Sequence, residues 1–418
     1  MKIAPAVVGC VLLALAQPAR AGGYDTPILY SARHMGMGGT AISFVDDPSA
    51  LFHNPAGLSH TKFISLTADF SPLFGNIQGS PQDKARSVKS ETTFAPFFII
   101  AGGFRVTDWL TLGVGAYPVA SAGAEYKYSV DDGVNTTEDR TKLVFIEIPV
   151  AASFEIPHSG VSIGLAYRMS MVSLDRYRKA TDDLAPFYDM ELKGFNAMGF
   201  RAGVQWQPIP ELRVGLVYRH KTETEVTDDS ARFLGNDATD VKMKFTLPSK
   251  LGFGVRGDLG PVGLAVDGEW GFHSQNEESN IEFKIAGAPG TPVANKFHWK
   301  DALTLRTGVE YRFLDAWAGR LGYIFDQQTS NEHYPTAFGT PPGPTHSLTA
   351  GVGYKAVRWE ANLAYAYRFG TATVTEADVN SNSKTGGDPA NYCAPCAKAG
   401  DYEIKLNGVY ADFSWYFE

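Results

Sequence analysis

The stretch H-S-L-T-A-G-V-G-Y-K-A-V-R-W-E-A-N-L-A-Y-A-Y-R-F (His346–Phe369) holds two runs of strict alternation with a break of about one residue at Val357. In the first run Leu348, Ala350, Val352 and Tyr354 share one face, and Thr349, Gly351 and Gly353 the other. In the second, Trp359, Ala361, Leu363, Tyr365, Tyr367 and Phe369 oppose Glu360, Asn362, Ala364, Ala366 and Arg368. A period of two is the signature of a strand with one apolar face and one small or polar face. A soluble sandwich alternates in the same way, so the decision passes to the connections.

Working outward, the same pattern recurs in Val161, Ile163, Leu165, Tyr167 and Met169, and in Leu212, Val214, Leu216 and Tyr218. It predicts about fourteen strands, at 61–71, 91–106, 109–128, 141–157, 160–177, 191–207, 211–227, 239–258, 261–285, 297–313, 316–331, 346–356, 358–374 and 402–417. Every second connection is very short: Thr107-Asp108, Pro157-His158-Ser159, Pro208-Ile209-Pro210, Leu259-Gly260, Leu314-Asp315 and Val357. The others are long, among them 72–90, 180–190, 332–345 and 375–401. Short turns at one end and long loops at the other mark an outer-membrane barrel. The last strand puts Val409, Ala411, Phe413, Trp415 and Phe417 on one face, a lipid-facing row ending in an aromatic girdle, with Glu418 after it. An even strand number closes the sheet and leaves no bare edge in hydrocarbon. The fold class expected is therefore all-β, a transmembrane antiparallel barrel over residues 61–418.

The chain has 418 residues, 43 of them glycine, with 12% aromatic and 20% charged side chains. Lys2, the apolar run Ile3–Ala16 and the Ala19-Arg20-Ala21 site read as a signal peptide, residues 1–21, too short to span a bilayer as a helix. A net charge of −8 argues against nucleic acid as a partner. Cleavage leaves two cysteines, Cys393 and Cys396, whose C-x-x-C spacing in an exported protein reads as a disulfide, with a redox role as the alternative. A zinc site would need two further ligands that no Cys or paired His motif supplies, and no cofactor or metal is expected. Neither G-x-S-x-G nor H-E-x-x-H occurs, so nothing points to an enzyme. The expected setting is the outer membrane of a Gram-negative bacterium, where the chain meets lipid and lipopolysaccharide as a monomer.

Residues 22–60 precede the first strand and are too few for a domain with its own core. Within them D-D-P-S-A-L-F-H-N-P-A-G-L-S-H (Asp46–His60) does not alternate. Asp47-Pro48 can start a helical turn over 49–52, and Asn54-Pro55 a second that Gly57 ends. Leu51, Phe52 and Leu58 then require an apolar partner, and the lumen of a fourteen-stranded barrel is wide enough to hold them. The segment reads as a plug inside the lumen; a tail packed on the periplasmic rim is the alternative.

The run S-A-R-H-M-G-M-G-G-T-A-I-S-F-V-D-D-P-S-A-L-F-H-N-P-A-G-L (Ser31–Leu58) resembles the hatch of the long-chain fatty acid transporter (FadL/TodX) family. The residues carrying the resemblance are the N-P-A motif Asn54, Pro55 and Ala56 and the acidic pair Asp46 and Asp47. T-L-P-S-K-L-G-F-G (Thr246–Gly254), W-K-D-A-L-T-L-R-T-G-V-E-Y-R (Trp299–Arg312) and H-S-L-T-A-G-V-G-Y (His346–Tyr354) extend it over essentially the whole mature chain. The resemblance implies a fourteen-stranded barrel with an N-terminal hatch. It also implies uptake of hydrophobic molecules, which leave sideways through a gap at a kinked third strand. That strand carries Pro118, which cannot donate a ladder hydrogen bond, and Gly123, which weakens it further; a mere bulge is the alternative. By the same resemblance Arg176, in S-L-D-R-Y-R (Ser173–Arg178), and Lys296, in N-K-F-H-W-K-D (Asn295–Asp301), would hold a ligand carboxylate by a charge-assisted bond; solvated loop charges are the alternative. A general porin, or a barrel that serves as a binding or secretion partner, stands as the rival function.

Overall fold

The computed structural model describes Tyr24, residues 29–379 and residues 398–417; residues 1–21, with the expected signal peptide, and the Cys393–Cys396 pair lie outside them. The barrel strands are β1 (Ile64–Gly79), β2 (Thr93–Thr107), β3 (Leu110–Tyr128), β4 (Thr137–Ile156), β5 (Val161–Ala180), β6 (Tyr188–Ile209) and β7 (Leu212–Arg219, continued by Thr222–Asp228). Then follow β8 (Asn236–Leu247 and Lys250–Leu259), β9 (Val262–Gly271 and Glu282–Ile285), β10 (Ala302–Phe313), β11 (Trp317–Asp326), β12 (Thr345–Lys355), β13 (Trp359–Val374) and β14 (Gly400–Phe417). Each pairs antiparallel with its neighbour, and β14 returns to β1 from Ile64↔Phe417 to Gln78↔Glu403, so fourteen strands close on themselves. Closure satisfies the sheet's outer edges without a partner chain.

Along much of the wall side-chain burial is inverted relative to a water-soluble core. Leu66, Ile100, Leu112, Leu165, Leu216, Phe253, Leu264, Leu321, Leu348 and Leu363 point outward and are exposed. Inward lie buried Glu147, Arg168, Asp267, Arg256, Glu310, Asn362 and Asp412. An apolar outer band around a polar interior is what a hydrocarbon surround selects. The last strand delivers its expected row: Phe413, Trp415 and Phe417 are all exposed, with successive rings 5.9 and 6.0 Å apart.

The short connections fall where expected. Gly160 and Gly260 take φ of 68° and 61° in two of them, the positive values that tight hairpins demand. Three expected strands are split. The stretch 239–258 breaks at Pro248, which offers no N–H, and the Ser249 N–H turns instead to the Gln275 side chain at 2.9 Å. The stretch 211–227 breaks between Arg219 and Thr222, and 261–285 between Gly271 and Glu282, around a 3-10 turn at His273–Gln275. The expected loop 72–90 is in part strand: β1 runs on to Gly79, and Val88-Lys89 pairs back on Gly79 and Gln78.

Residues 29–60 form α1 (Ala32–Met35), α2 (Ala50–His53) and a 3-10 turn, Pro55–His60. Almost all of these residues are buried, and they touch the inward faces of strands from most of the ring. The Gly38 N–H donates to Thr349 Oγ1 on β12 at 3.0 Å, the Ala41 and Ile42 N–H groups to Asp267 on β9 at 2.8 and 3.0 Å, and the Arg33 N–H to Asp412 on β14 at 3.0 Å. A segment this short has no core of its own, so the barrel interior supplies the partners for its backbone.

Candidate ligand channel

The N-P-A residues seat the segment. Asn54 Oδ1 accepts the Ala56 N–H at 3.2 Å, which starts the 3-10 turn with Pro55 in its first position. The other end of that amide donates to Ile42 O at 2.7 Å and to Val204 O on β6 at 3.1 Å. One side chain therefore caps its own helix and joins it to the wall. Ala56 O accepts from Ser153 Oγ of β4 at 2.9 Å. Asp47 accepts the Ser49 N–H at 2.6 Å ahead of α2, and Asp46 forms an ion pair with Arg33.

Glycine on the wall permits this approach. A Cβ on Gly164 would lie 2.2 Å from both Pro55 C and Ala56 N, which are backbone atoms that cannot swing away. Gly164→Val is therefore expected to unseat Pro55-Ala56 while the barrel stays folded. Small polar solutes should then leak through reconstituted protein several-fold faster than wild type. Unchanged leakage from a variant with normal heat-modifiable gel mobility would show that this contact seals nothing.

The ladder between β2 and β3 is incomplete. It runs from Thr107↔Leu110 to Ile100↔Ala116, and no ladder pair joins the two strands beyond that point among the described residues. Near the long loops the chain just ahead of β2 meets β3 again, where the Glu91 N–H donates to Glu125 O at 2.8 Å. On its other edge β3 stays paired to β4, with a bulge between Pro118 and Ala120. Gly123 keeps its ladder partner Lys142 there. The Pro118 carbonyl accepts from the Tyr30 hydroxyl at 2.7 Å. Tyr117 donates to Leu51 O at 3.0 Å and lies edge-on to Phe52. Arg201 of β6 donates to Leu51 O at 2.6 Å and to Phe52 O, and its guanidinium stands over the Phe52 ring. The kinked part of β3 is thus tied to residues 30–52.

A continuous set of buried apolar side chains runs from that parted ladder into the barrel. Phe97, Ile99, Val119 and Ala120 lie at its edge, Leu143 and Phe145 on β4 lead inward, and Phe245 and Trp299 mark the far side. The two ends of the barrel differ sharply from this middle. At the short-turn end a cavity of about 250 Å³ is lined by charge, including Arg33, Asp46, Arg213, Arg256, Glu310 and Glu360. There Arg256 bonds Glu310 at 2.7 Å and Arg320 bonds the same carboxylate at 2.8 Å. At the other end residues 327–344 fold over the mouth: Tyr126 donates to Ala337 O, and Phe338 stacks edge-on against Tyr126 at 5.5 Å. Lys300 ties the same loop down through Glu332 at 2.8 Å; burial works against that carboxylate, yet the Lys300 hydrogen bond holds it at about 2.

Both cations expected to serve a carboxylate border the apolar set, without direct contact between them among the described bonds. Arg176 forms an ion pair with Asp139 and lies 5.0 Å from the ring centres of both Tyr188 and Phe338. Lys296 is buried, bridged through its backbone to Glu278, and its chain neighbours Phe297 and Trp299 belong to the aromatic group. Sequence reasoning missed Tyr30, Tyr117, Arg201 and the inward aromatics Phe145 and Phe245. The available signal for Phe145 was size, a large ring on a face that also carries Thr141, Glu147, Ala151 and Ser153; Phe245 shares its face with Val241, Met243 and Leu247, an apolar run on the inward side.

Residues 12–393 match the model of a family described as outer membrane protein transport protein (OMPP1/FadL/TodX). No curated protein sequence matches the chain. Among solved structures, the Pseudomonas putida toluene transporter TodX superposes with a TM-score of 0.70 at 16% identity, covering 95% of this chain and 100% of that one. A Pseudomonas aeruginosa FadL homologue gives 0.69 at 14% identity, with 95% and 100% covered. The Ralstonia pickettii toluene transporter TbuX gives 0.67 at 18% identity, with 93% and 99% covered. At these identities the likeness speaks for the fold.

Proposed function

The chain belongs to the OMPP1/FadL/TodX family of outer-membrane transport proteins, and on that premise we propose that it takes up hydrophobic molecules and releases them sideways into the bilayer between β2 and β3. The observation that carries this reading is the continuity of the apolar set from Trp299 to the unpaired edge at Ile99 and Val119. A straight exit would take an apolar solute past Arg33, Arg256 and Glu310, whose desolvation costs several kcal/mol per ion, roughly. The sideways exit keeps it in hydrocarbon, where each buried CH₂ is worth ~0.8 kcal/mol.

Residues 22–60 act as the hatch in this reading, with Asp46, Asp47, Asn54, Pro55 and Ala56 holding it in the lumen. Pro118 is the gate residue, and Gly123 the weak point above it. The Tyr30–Pro118 bond couples hatch to gate, so a shift of the hatch releases the kinked strand. In this reading Lys296, beside Phe297 and Trp299, would meet a polar ligand head. A ligand carboxylate would reach Arg176 only in exchange for Asp139.

Pro118→Val tests the exit. The Pro118 carbonyl faces away from β4, toward Tyr30, so the N–H restored by valine would face the unpaired side as well. The variant is expected to slow uptake of a hydrophobic probe several-fold while equilibrium binding to purified protein holds. Wild-type uptake by this variant, at equal surface abundance, would place the exit elsewhere.

A further inference from the structure

The aromatic group at the inner end of the apolar set is already occupied by the chain itself. Tyr24 stacks on Phe145 with ring centres 5.2 Å apart and an interplanar angle of 21°. The Trp299 ring centre lies 4.6 Å from that of Tyr24, tilted by 58°, and Phe245 and Phe297 stand nearly perpendicular to it at 6.1 and 6.3 Å. These four residues come from β4, from β8 and from the segment before β10, so only the folded barrel assembles them. The phenol oxygen is met as closely as the ring. It donates to Thr246 O at 2.6 Å and accepts from Asn276 Nδ2 at 2.6 Å, and Asn276 is buried.

We propose that this cage is a binding site for neutral monocyclic phenols, with the Tyr24 ring as its resident occupant. The inference rests on the uptake reading above and names the ligand class of that channel. An aromatic cage without a polar end would accept toluene and p-cresol alike. Here a carbonyl acceptor and an amide donor converge on one point at the rim of the ring, and a ligand lacking a hydroxyl leaves both unmet. The break in β8 at Pro248 and the 3-10 turn at His273–Gln275 fit this reading, since they bring Thr246 and Asn276 together where a regular ladder would not. Arg176 already holds Asp139, which removes one attraction for an anionic ligand. Tyr24 must leave for a ligand to enter, so the free energy of its stacking and its two hydrogen bonds sets a threshold that a phenol can replace bond for bond and a hydrocarbon cannot.

Calorimetric titration of the full-length protein in detergent, with p-cresol and toluene as probes, tests the assignment. Tyr24→Ala is expected to bind p-cresol about tenfold tighter than wild type does, and about tenfold tighter than it binds toluene. Adding Asn276→Leu should abolish the preference for p-cresol over toluene while toluene affinity holds. Tyr24→Phe, which keeps the ring and removes the oxygen, guards against a misfolded alanine variant: it too should bind p-cresol more tightly than wild type. Equal affinity for both probes in Tyr24→Ala, a preference unmoved by Asn276→Leu, or no binding by either folded Tyr24 variant would each overturn the phenol site. Cellular uptake of toluene separates the two readings. Normal uptake beside failed phenol selectivity overturns this assignment alone, and phenol-selective binding without uptake of either probe overturns the channel instead.

Discussion

Deleting residues 22–60 is expected to leave a barrel that folds and inserts, while selective uptake of hydrophobic probes falls to the level of cells lacking the protein. The strands hold one another through a closed ladder, and their outer apolar rows are buried by lipid, neither of which involves the segment. Its removal strips partners from the wall: Asp267 loses two N–H donors, Asp412 loses the Arg33 N–H, and Arg201 loses the Leu51 and Phe52 carbonyls. In a dry interior those losses would be costly, at roughly 1–3 kcal/mol for each unmet group. Here the emptied lumen floods and water replaces the lost partners. The same flooding turns the channel into an open polar pore, so liposome swelling with small sugars should rise well above wild type. A deletion that keeps hydrophobic uptake and adds no leakage would show the segment to be a tail with no part in transport.

The barrel was legible because its environment writes a simple code. Lipid on one side and lumen on the other impose alternation on every strand, so Thr345–Lys355 and Trp359–Val374 lie within a few residues of the expected 346–356 and 358–374. The seat of the hatch was legible in part. Asn54-Pro55 announces a helix start, and its Asn54 cap is present, but the second use of that amide, on Val204 of β6, depends on a contact 150 residues away. The gate was half-legible for the same kind of reason. Pro96, Pro118 and Pro149 all interrupt strands, and nothing local separates them. Pro96 lies opposite Pro72, where neither needs a donor, and Pro149 sits inside an unbroken β4–β5 register. Pro118 and Pro96 both border the stretch where β2 and β3 have parted, one on each side, and what sets Pro118 apart is its bond to Tyr30 and the bulge beside it. The charge on Arg176 was visible, but its partner Asp139 lies 37 residues earlier on β4 and is reached diagonally, since the register sets Arg176 opposite Thr141 and Asp139 opposite Arg178. The aromatic cage was invisible: its members lie on separate strands and loops, and Thr246 offers a backbone carbonyl that any residue would carry.

Joining β2 to β3 across the parted ladder should stop transport reversibly. If the register of Ile100↔Ala116 continued, Phe97 would stand opposite Val119, and both are buried apolar residues at the mouth of the gap. With Cys393 and Cys396 replaced by serine to remove competing thiols, Phe97→Cys and Val119→Cys form the pair. A disulfide holds its Cα atoms within about 7 Å, close to the spacing of a paired ladder, so forming it draws the two edges together. The route past Ile99 and Val119 is then closed, while the lumen and the aromatic group beyond Leu143 are untouched. Oxidised cells should lose uptake of hydrophobic probes and regain it on adding reductant, with equilibrium binding to the purified protein altered little. Each single-cysteine variant should transport normally under both conditions, which separates closure from damage to the apolar lining. Full uptake by the verified crosslinked form would remove the β2–β3 edge from the pathway. The ligand would then have to pass the charged cavity around Arg256 and Glu310, a route for which a polar solute is far better suited than a hydrocarbon.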